Sequence, residues 1–300
     1  MIENIKRIAI LFTFFLLSFS ACSNNSNELK IMTWNIWHGG IHGKAENNFK
    51  EDSSNTVNTL KVIKQHNPDI LFMQETYCCG MEIAKKAGFK YSWRGSSNLS
   101  IHSKYPIVDT INIYKPFNSH GAKIKFNDKE ICFFNIWLHY LPDYFNNSKT
   151  STPLQLISGE FETRHSEIKS ILKEINIIAG SNPNVPVIIG GDFNSGSHLD
   201  WIESTKEDHY NKVVEWPVSK EIFKNSFNDS FRDINPDPKQ NPGVTWGGFL
   251  FEDMLSDRID YIYYRGDGLE PIDSKVISEN PSNGFFNSDH RAVLSTFVIE

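Results

Sequence analysis

The chain has few cysteines and no excess of basic residues. The first feature makes a disulfide-stabilised fold unexpected, and the second makes a protein that coats nucleic acid unexpected. Four cysteines among 300 residues do not suggest a disulfide framework. Cys78 and Cys79 are adjacent, and they form either a vicinal disulfide or two ordinary loop thiols. Lysine and arginine number 30 against 36 aspartates and glutamates, a formal net charge of -6, so we expect no broad basic surface that coats nucleic acid. A nuclease is still compatible with this charge, because a bound cation supplies positive charge locally.

The apolar run near the N-terminus is too short to span a membrane. Residues 8–17 are apolar, follow Lys6 and Arg7, and lead through small residues to Cys22, which is the order of a secretory signal. We predict that residues 1–22 are a signal peptide of the bacterial lipoprotein type and that a lipid on Cys22 attaches the protein to a membrane, at a periplasmic or outer surface. Residues 23–28 are then a flexible tether. Simple secretion is the alternative.

The remainder has a globular composition, with 39% hydrophobic and 22% charged residues, and it shows neither an internal repeat nor an interior linker. We therefore predict a single domain from residue 29 to residue 300. Helical periodicity occurs at residues 57–63 and 168–175. Short β-rich runs, apolar on both faces, occur at residues 30–34, 70–73, 131–136, 185–189 and 261–264. The pattern predicts an α/β fold of two packed β-sheets with helices outside.

Polar residues recur where these apolar runs end. Such positions form the sheet edge at which ligands bind. Asparagine and aspartate are also common turn residues, but a glutamate beside the apolar run at 70–73 requires a partner. The residues at these ends are Asn35, Glu75, His139, Asp192 and Asn194.

These residue types suit metal-assisted attack of water on a phosphate ester. Glu75 with Asn35 and Asp289 would make an oxygen-rich site for Mg²⁺ or Mn²⁺. His290 is the expected proton-transfer group, and Asp260 could orient its ring. Asp192 would position or deprotonate water, and the side chains of Asn35, Asn194 and His139 would donate hydrogen bonds to phosphate oxygens.

Further polar and aromatic residues lie in loops that follow or precede these positions. For each of them a structural role competes with a role in binding substrate. The candidate substrate contacts are His38, His42, Ser195, His198, Trp201 and Trp246.

Seven segments together resemble the endonuclease/exonuclease/phosphatase superfamily, whose members include DNase I-like nucleases and neutral sphingomyelinases. They lie in family order at residues 33–35, 74–76, 103–107, 137–139, 191–194, 258–261 and 288–291. The resemblance covers residues 29–300 and implies a four-layer, DNase I-like sandwich of two mixed sheets flanked by helices. It places Asn35 and Glu75 on the metal side, and His139, Asp192, Asn194, Asp260, Asp289 and His290 on the other catalytic positions.

Together with the N-terminal signal, the resemblance implies an exported bacterial phosphodiesterase or phosphatase that depends on Mg²⁺ or Mn²⁺. Its substrate would be a small phosphate ester, a lipid head group or nucleic acid, and no obligate protein partner is expected. A surface endonuclease is the main alternative. A sphingomyelinase-like lipid phosphodiesterase is a weaker alternative. An inactive binding lipoprotein is another, because it would have lost catalytic positions and none is lost here.

Overall fold

The computed structural model describes residues 27–40, 53–180, 184–247, 254–278 and 288–300. The signal peptide, Cys22 and His42 lie outside the described residues. The predicted tether, residues 23–28, is one residue too long, because the first strand begins at Glu28. This residue is opposite Val298 in an antiparallel pair. No helix in the described ranges is both long enough and apolar enough to cross a membrane.

Twelve described strands form two six-stranded mixed sheets. In the first sheet β1 and β2 are parallel and the other pairs are antiparallel. Its spatial order is β11 (Leu269–Ile277), β12 (Ala292–Ile299), β1 (Glu28–Asn35), β2 (Ile70–Gln74), β4 (Leu99–Ser103) and β3 (Tyr91–Arg94). In the second sheet β7 and β8 are parallel. Its order is β5 (Ile107–Asn112), β6 (Ser119–Phe126), β7 (Lys129–Trp137), β8 (Val187–Asp192), β10 (Asp260–Arg265) and β9 (Asn228–Asp229).

The two sheets pack face to face through aliphatic and aromatic side chains. Ile31 and Phe72 of the first sheet share a buried cluster with Phe133 and Ile188 of the second. Gly190 permits a close approach of the sheets, because a Cβ atom there would lie 2.3 Å from the ring of Phe72. Burial of this face is the main stabilisation of the sandwich.

Helices cover the outer face of each sheet. On the first sheet, Val62 of the helix Ser53–His66 and Ile83 of the helix Gly80–Ala87 pack against Met32 and Leu71. On the second sheet, the apolar side of the helix Arg164–Ile178 packs against β7 and β8. The helices are α1 (Trp37–Gly40), α2 (Ser53–His66), α3 (Gly80–Ala87), α4 (Tyr144–Asn147), α5 (Pro153–Glu162), α6 (Arg164–Ile178), α7 (Pro217–Lys224) and α8 (Ser230–Ile234), with a 3₁₀ helix at Glu203–His209. The predicted layering of two mixed sheets between helices is confirmed.

Several strands end or begin at one edge of the sandwich, which we call the rim. The parallel strands β1 and β2 end there at Asn35 and Gln74, and β7 and β8 end there at Trp137 and Asp192. The antiparallel strand β10 begins at the same edge with Asp260, which is opposite Asp192. The rim therefore collects chemistry-bearing residues from both sheets.

Candidate active site

The centre of the rim is the side-chain amide of Asn35, which is fully buried. Its nitrogen donates to Glu75 Oε1 at 3.2 Å and to Asp192 Oδ2 at 3.0 Å. Its oxygen accepts a hydrogen bond from the Trp37 backbone at 3.0 Å. The amide thus joins a carboxylate of the first sheet to one of the second. The predicted role of Asn35 as a metal ligand stays a prediction, because its oxygen accepts one backbone N–H and keeps a second lone pair.

Glu75 follows β2 directly and lies beside the loop that contains His38. Its Oε2 accepts from the His38 backbone N–H at 3.1 Å, and the His38 ring Nε2 is 3.9 Å from the same oxygen. The backbone of Glu75 has φ 55°, a left-handed conformation that is uncommon for a residue with a side chain. Asn98 holds this conformation, since its Oδ1 accepts the Glu75 backbone N–H at 3.0 Å. Glu75 keeps 18% of its side chain exposed and so can still bind a cation.

His290 and Asp260 form a buried pair on the other side of Asn35. Asp260 Oδ2 is 2.9 Å from His290 Nδ1, and Nε2 of the same ring is 3.8 Å from Asp192 Oδ2. Burial alone would lower the pKa of His290, but the negative charges of Asp260, Asp192 and Asp289 outweigh it and raise that pKa well above its ordinary value. The imidazole is therefore held as a cation at neutral pH.

Asp192 has the opposite environment for a carboxylate. Burial raises the pKa of Asp192 to about 7; the His290 charge lowers it and the Asp260 charge raises it. Its Oδ1 accepts the Asn194 backbone N–H at 3.0 Å. The amide nitrogen of Asn194 donates to the Leu138 carbonyl at 2.9 Å, so this side chain ties β8 to the segment after β7. Asp192 can therefore take up a proton near neutral pH.

Asp289 and Trp246 complete the cleft beside Glu75. The Trp246 indole N–H donates to Asp289 Oδ2 at 3.4 Å, and its ring lies 4.2 Å from that of Phe145. Burial raises the pKa of Asp289, the charge of His290 opposes this, and the charge of Glu75 raises it further. Of the predicted substrate contacts, His38 and Trp246 are therefore the two that the structure places beside the catalytic residues.

Four carboxylates, from Glu75, Asp192, Asp260 and Asp289, surround one imidazole in this cleft. Oδ1 of Asp260 is buried and has no hydrogen-bond partner among the described residues. Side-chain atoms of Asp192, Asp260 and His290 lie within 4.8 Å of one another, but the His290 imidazolium has no lone pair for a metal, so the carboxylates are the candidate ligands. A cluster with more anions than cations is stabilised by a divalent metal ion, and its oxygen-rich ligands suit Mg²⁺ or Mn²⁺. The residues present therefore fit a divalent cation.

His139 lies two residues after β7, at the margin of this cluster. Its Nδ1 accepts the Leu141 backbone N–H at 3.0 Å, and its ring is stacked on Tyr140 at 5.1 Å. The His139 backbone N–H donates to Glu167 on α6 at 2.9 Å. These contacts position the ring beside the rim, and its predicted contact with phosphate stays a prediction.

Two of the predicted substrate contacts are buried away from the cleft. Ser195 is fully buried, and its hydroxyl donates to Glu160. Trp201 is also fully buried, and its indole N–H donates to Asp257 at 2.8 Å. The prediction that these residues contact substrate is wrong, because internal carboxylates already satisfy both side chains.

His198 also faces the protein rather than the catalytic carboxylates. Its Nδ1 lies 2.8 Å from the Ser219 hydroxyl, and its ring meets the ring of Phe223 edge to face at 5.0 Å. His198 is therefore held by residues of α7 in this structure, and its predicted contact with substrate stays a prediction. His42 lies outside the described residues.

A second group of polar residues was not predicted and connects the sheets beneath the rim. Gln74 Nε2 donates to Asn135 Oδ1 at 2.7 Å, and Asn135 Nδ2 donates to the carbonyls of Met73 and Ser100. Both side chains are fully buried. A glutamine and an asparagine inside apolar runs are the sequence signal that could have revealed this bridge.

A buried charge cluster supports the segment that leads into Asp260. Arg258 pairs with Asp200 at 2.8 Å and with Asp229 at 2.6 Å, while Arg232 pairs with Asp200 at 2.6 Å. Asp229 also begins α8 by accepting backbone N–H bonds. This cluster stabilises the fold beside the active site and was not predicted from the sequence.

Cys78 and Cys79, which follow Glu75 closely, form a vicinal disulfide in this structure. A Cβ atom on Gly39 would lie 3.1 Å from Cys78 Sγ, so the disulfide packs beneath the loop after β1. The first of the two alternatives for these cysteines is therefore the one observed.

Known proteins of similar sequence or fold include the following. Uncharacterized protein F14F9.5 of Caenorhabditis elegans is 28% identical over 314 residues and matches 94% of this chain and 95% of its own length. An AP endonuclease from Archaeoglobus fulgidus superposes with a TM-score of 0.62 at 17% identity, covering 90% of this chain and 100% of its own. D. rerio TDP2 complexed with single-strand DNA product superposes with a TM-score of 0.60 at 16% identity, covering 90% and 98%. The two structural likenesses show a shared fold.

The sequence as a whole matches a family model. The model of the endonuclease/exonuclease/phosphatase family matches residues 32–290, which include every residue of the cluster around Asn35. Endonucleases, exonucleases and phosphatases all hydrolyse phosphate esters, and the cluster of carboxylates fits a divalent metal ion that would polarise the ester. The chain belongs to the endonuclease/exonuclease/phosphatase family and is a metal-dependent hydrolase of phosphate esters.

Proposed function

We propose that this protein is an exported phosphodiesterase that uses Mg²⁺ or Mn²⁺. The observation that carries the proposal is the bridge made by Asn35 between Glu75 and Asp192. It holds a partly exposed carboxylate for the cation on one side and a proton-transfer group on the other. A phosphate bound across Asn35 would meet both, which is the arrangement that metal-assisted hydrolysis needs.

Glu75 and Asp289 are the residues that would hold the cation. The negative charge of Glu75 raises the pKa of Asp289, so the two carboxylates repel each other, and a cation held by both would relieve that repulsion. When bound, the cation polarises a phosphoryl oxygen and offsets the negative charge that develops on it. The His38 backbone N–H and the Trp246 indole N–H fix the orientation of these carboxylates.

The proton-transfer roles follow from the opposite environments of His290 and Asp192. Asp192 has a pKa raised to about 7, so at neutral pH it accepts a proton from water more readily than an ordinary aspartate does. His290, held as a cation by Asp260, donates a hydrogen bond or a proton to a phosphate oxygen. The Asn35 amide lies between them and stabilises the carboxylate form of Asp192.

Export is the part of the proposal that depends on residues 1–22. The sequence order of basic residues, an apolar run and small residues before Cys22 supports a lipoprotein signal. We propose a lipid anchor at Cys22, with secretion as the alternative. Radiolabelled palmitate on the wild-type protein and its absence from Cys22→Ser would support the anchor, whereas a soluble, unlabelled protein in the medium would support secretion.

A surface nuclease is the second candidate. The observation in its favour is the likeness in fold to TDP2, whose structure holds a single-strand DNA product. The acidic net charge of -6 favours small or lipid-linked esters instead, because it gives no general attraction to a polyanion.

The test is hydrolysis with Mg²⁺, Mn²⁺ or EDTA, using bis(p-nitrophenyl) phosphate, p-nitrophenyl phosphate, sphingomyelin and supercoiled DNA. We expect metal-dependent hydrolysis of the diester, and a loss of at least ~10²-fold in His290→Ala. His165→Ala is the matched control, since His165 on α6 pairs with Glu221. Cutting of DNA at rates far above the small esters would favour the nuclease, and equal rates in EDTA would contradict both candidates.

A further inference from the structure

A partly exposed group of aromatic rings lies next to the catalytic cleft, and of its members only His139 has a predicted role in the chemistry described above. We call it the aromatic ladder, and it consists of Phe117, Trp137, His139 and Tyr140. The Trp137 ring meets the Phe117 ring edge to face at 5.7 Å and lies 6.4 Å from the Tyr140 ring. Tyr140 is 53% exposed and Phe117 is 41% exposed. Large exposed aromatics in contact with one another mark a binding surface.

The register of the second sheet places Trp137 beside the catalytic carboxylate. Trp137 of β7 is the direct partner of Asp192 of β8. Side chains of partnered residues point to the same face, and strands lie about 4.8 Å apart. That face is the one between the sheets, because Phe133 and Ile188, four residues earlier in each strand, belong to the core between the sheets. Trp137 therefore extends the row of the catalytic carboxylates along the rim.

Hydrogen bonds fix the ladder to both halves of the catalytic site. The Leu138 backbone N–H, next to Trp137, donates to the Asp192 carbonyl at 3.0 Å. On the other side, Asn98 accepts the backbone N–H of Glu75 and donates to the Phe117 carbonyl at 2.9 Å. The ladder is thus held in a defined position relative to the phosphate site.

The chemistry of the ladder favours a flat aromatic ligand. Tyr140 is stacked on His139 at 5.1 Å with planes 7° apart, which leaves its other face toward solvent. The Trp137 indole N–H is buried and has no hydrogen-bond partner among the described residues. Exposed aromatic faces are the feature on which proteins stack unpaired nucleobases.

We propose that the aromatic ladder stacks an unpaired nucleobase next to the scissile phosphate. The substrate class is then a small phosphodiester that carries a nucleoside. A duplex is a poorer ligand, because its bases are already stacked on one another and must be extruded first. This inference rests on the proposed phosphodiesterase function and names its substrate class.

The test compares two esters with the same leaving group, thymidine 5′-(p-nitrophenyl phosphate) and methyl p-nitrophenyl phosphate, in the metal-loaded protein. We expect kcat/KM to be higher for the thymidine ester. Phe117→Ala and Tyr140→Leu should lower kcat/KM for that ester by about 5-fold to 150-fold, the equivalent of ~1–3 kcal/mol of stacking. For the methyl ester the same variants should stay within about twofold of wild type. Tyr91→Ala is the matched control, since Tyr91 is also exposed but begins β3 at the far end of the sheet.

The outcomes separate this inference from the function on which it rests. No hydrolysis of either ester would reject the phosphodiesterase, whereas hydrolysis of both without a change of their ratio in the variants would reject the ladder alone. An equal change in Tyr91→Ala would also reject it. Binding of phosphatidylcholine vesicles that is lost in Phe117→Ala and Tyr140→Leu, with the ester ratio unchanged, would assign the ladder to a lipid surface and overturn the proposal.

Discussion

The role of Asn35 as a donor to two carboxylates can be tested by exchanging one atom. Asn35→Asp keeps the size of the side chain and replaces the amide nitrogen by an oxygen. In the present geometry that oxygen would lie 3.0 Å from Asp192 Oδ2 and 3.2 Å from Glu75 Oε1. Two attractive contacts would become two repulsive ones, so the variant should be destabilised in a manner that depends on pH.

The size of the effect is limited by protonation of the new carboxyl group. At an effective dielectric constant of about 20, each repulsion at 3 Å is about 5 kcal/mol. Binding a proton costs less, about 1.4 kcal/mol for each pH unit above an unfolded pKa of about 3.9. The loss of stability is therefore at most about 5.6 kcal/mol at pH 8 and about 1.5 kcal/mol at pH 5. Since the pKa is raised in the folded state, the loss increases as the pH rises.

The measurement is urea unfolding in EDTA at pH 5 and pH 8. We expect Asn35→Asp to lose about 2–4 kcal/mol more stability at pH 8 than at pH 5. Asn35→Ala removes the same donor without adding charge, so it controls for the loss of the two hydrogen bonds. If the two variants lose the same stability at both pH values, Asn35 does not lie between two carboxylates and the reasoning is refuted.

Two further predictions concern the cation and the buried charge cluster. Glu75→Gln should raise the Mg²⁺ concentration for half-maximal activity at least about tenfold, because an anionic ligand is lost, and an unchanged titration would remove Glu75 from the metal site. Arg258→Met should lower the free energy of unfolding by about 3–5 kcal/mol in urea titrations, because Asp229 loses its partner at 2.6 Å in the interior. Lys220→Met is the control: its pair with Glu215 is exposed, and the expected loss is under about 1 kcal/mol. Equal losses in the two would contradict a special role for the buried pair.

The catalytic positions were accessible from the sequence because local rules determine them. Apolar runs end at Asn35, Glu75 and Asp192, and a polar residue at the end of a buried strand has few roles other than turn or site. The strand boundaries were also close, although β8 begins at Val187 and extends to Asp192, beyond the predicted run at 185–189. The apolar runs do not show which strands are neighbours in the sheets. That arrangement places the Asn35 amide in contact with Asp192, 157 positions later in the chain.

The wrong predictions share one physical cause, which is a partner distant in the chain. Trp201 follows the segment with Asp192 and Asn194 and so resembled a substrate contact, but its indole N–H finds the buried carboxylate of Asp257, 56 residues later. Ser195 similarly finds Glu160 on α5. Such pairings are tertiary and leave no periodic signal.

The strand β1 connects the metal side of the site, at Glu75, to the proton-transfer side, at Asp192 and His290. Its Trp34 donates an indole N–H to the His290 carbonyl at 3.0 Å, and the Asn35 carbonyl accepts the Ser288 hydroxyl at 2.6 Å. These bonds join segments more than 250 residues apart in the sequence. The Asn35 side-chain amide contacts Glu75 and Asp192, so this one buried residue links both carboxylates to the Ser288 segment. The relative placement of these groups therefore depends on the packing of β1 between β12 and β2.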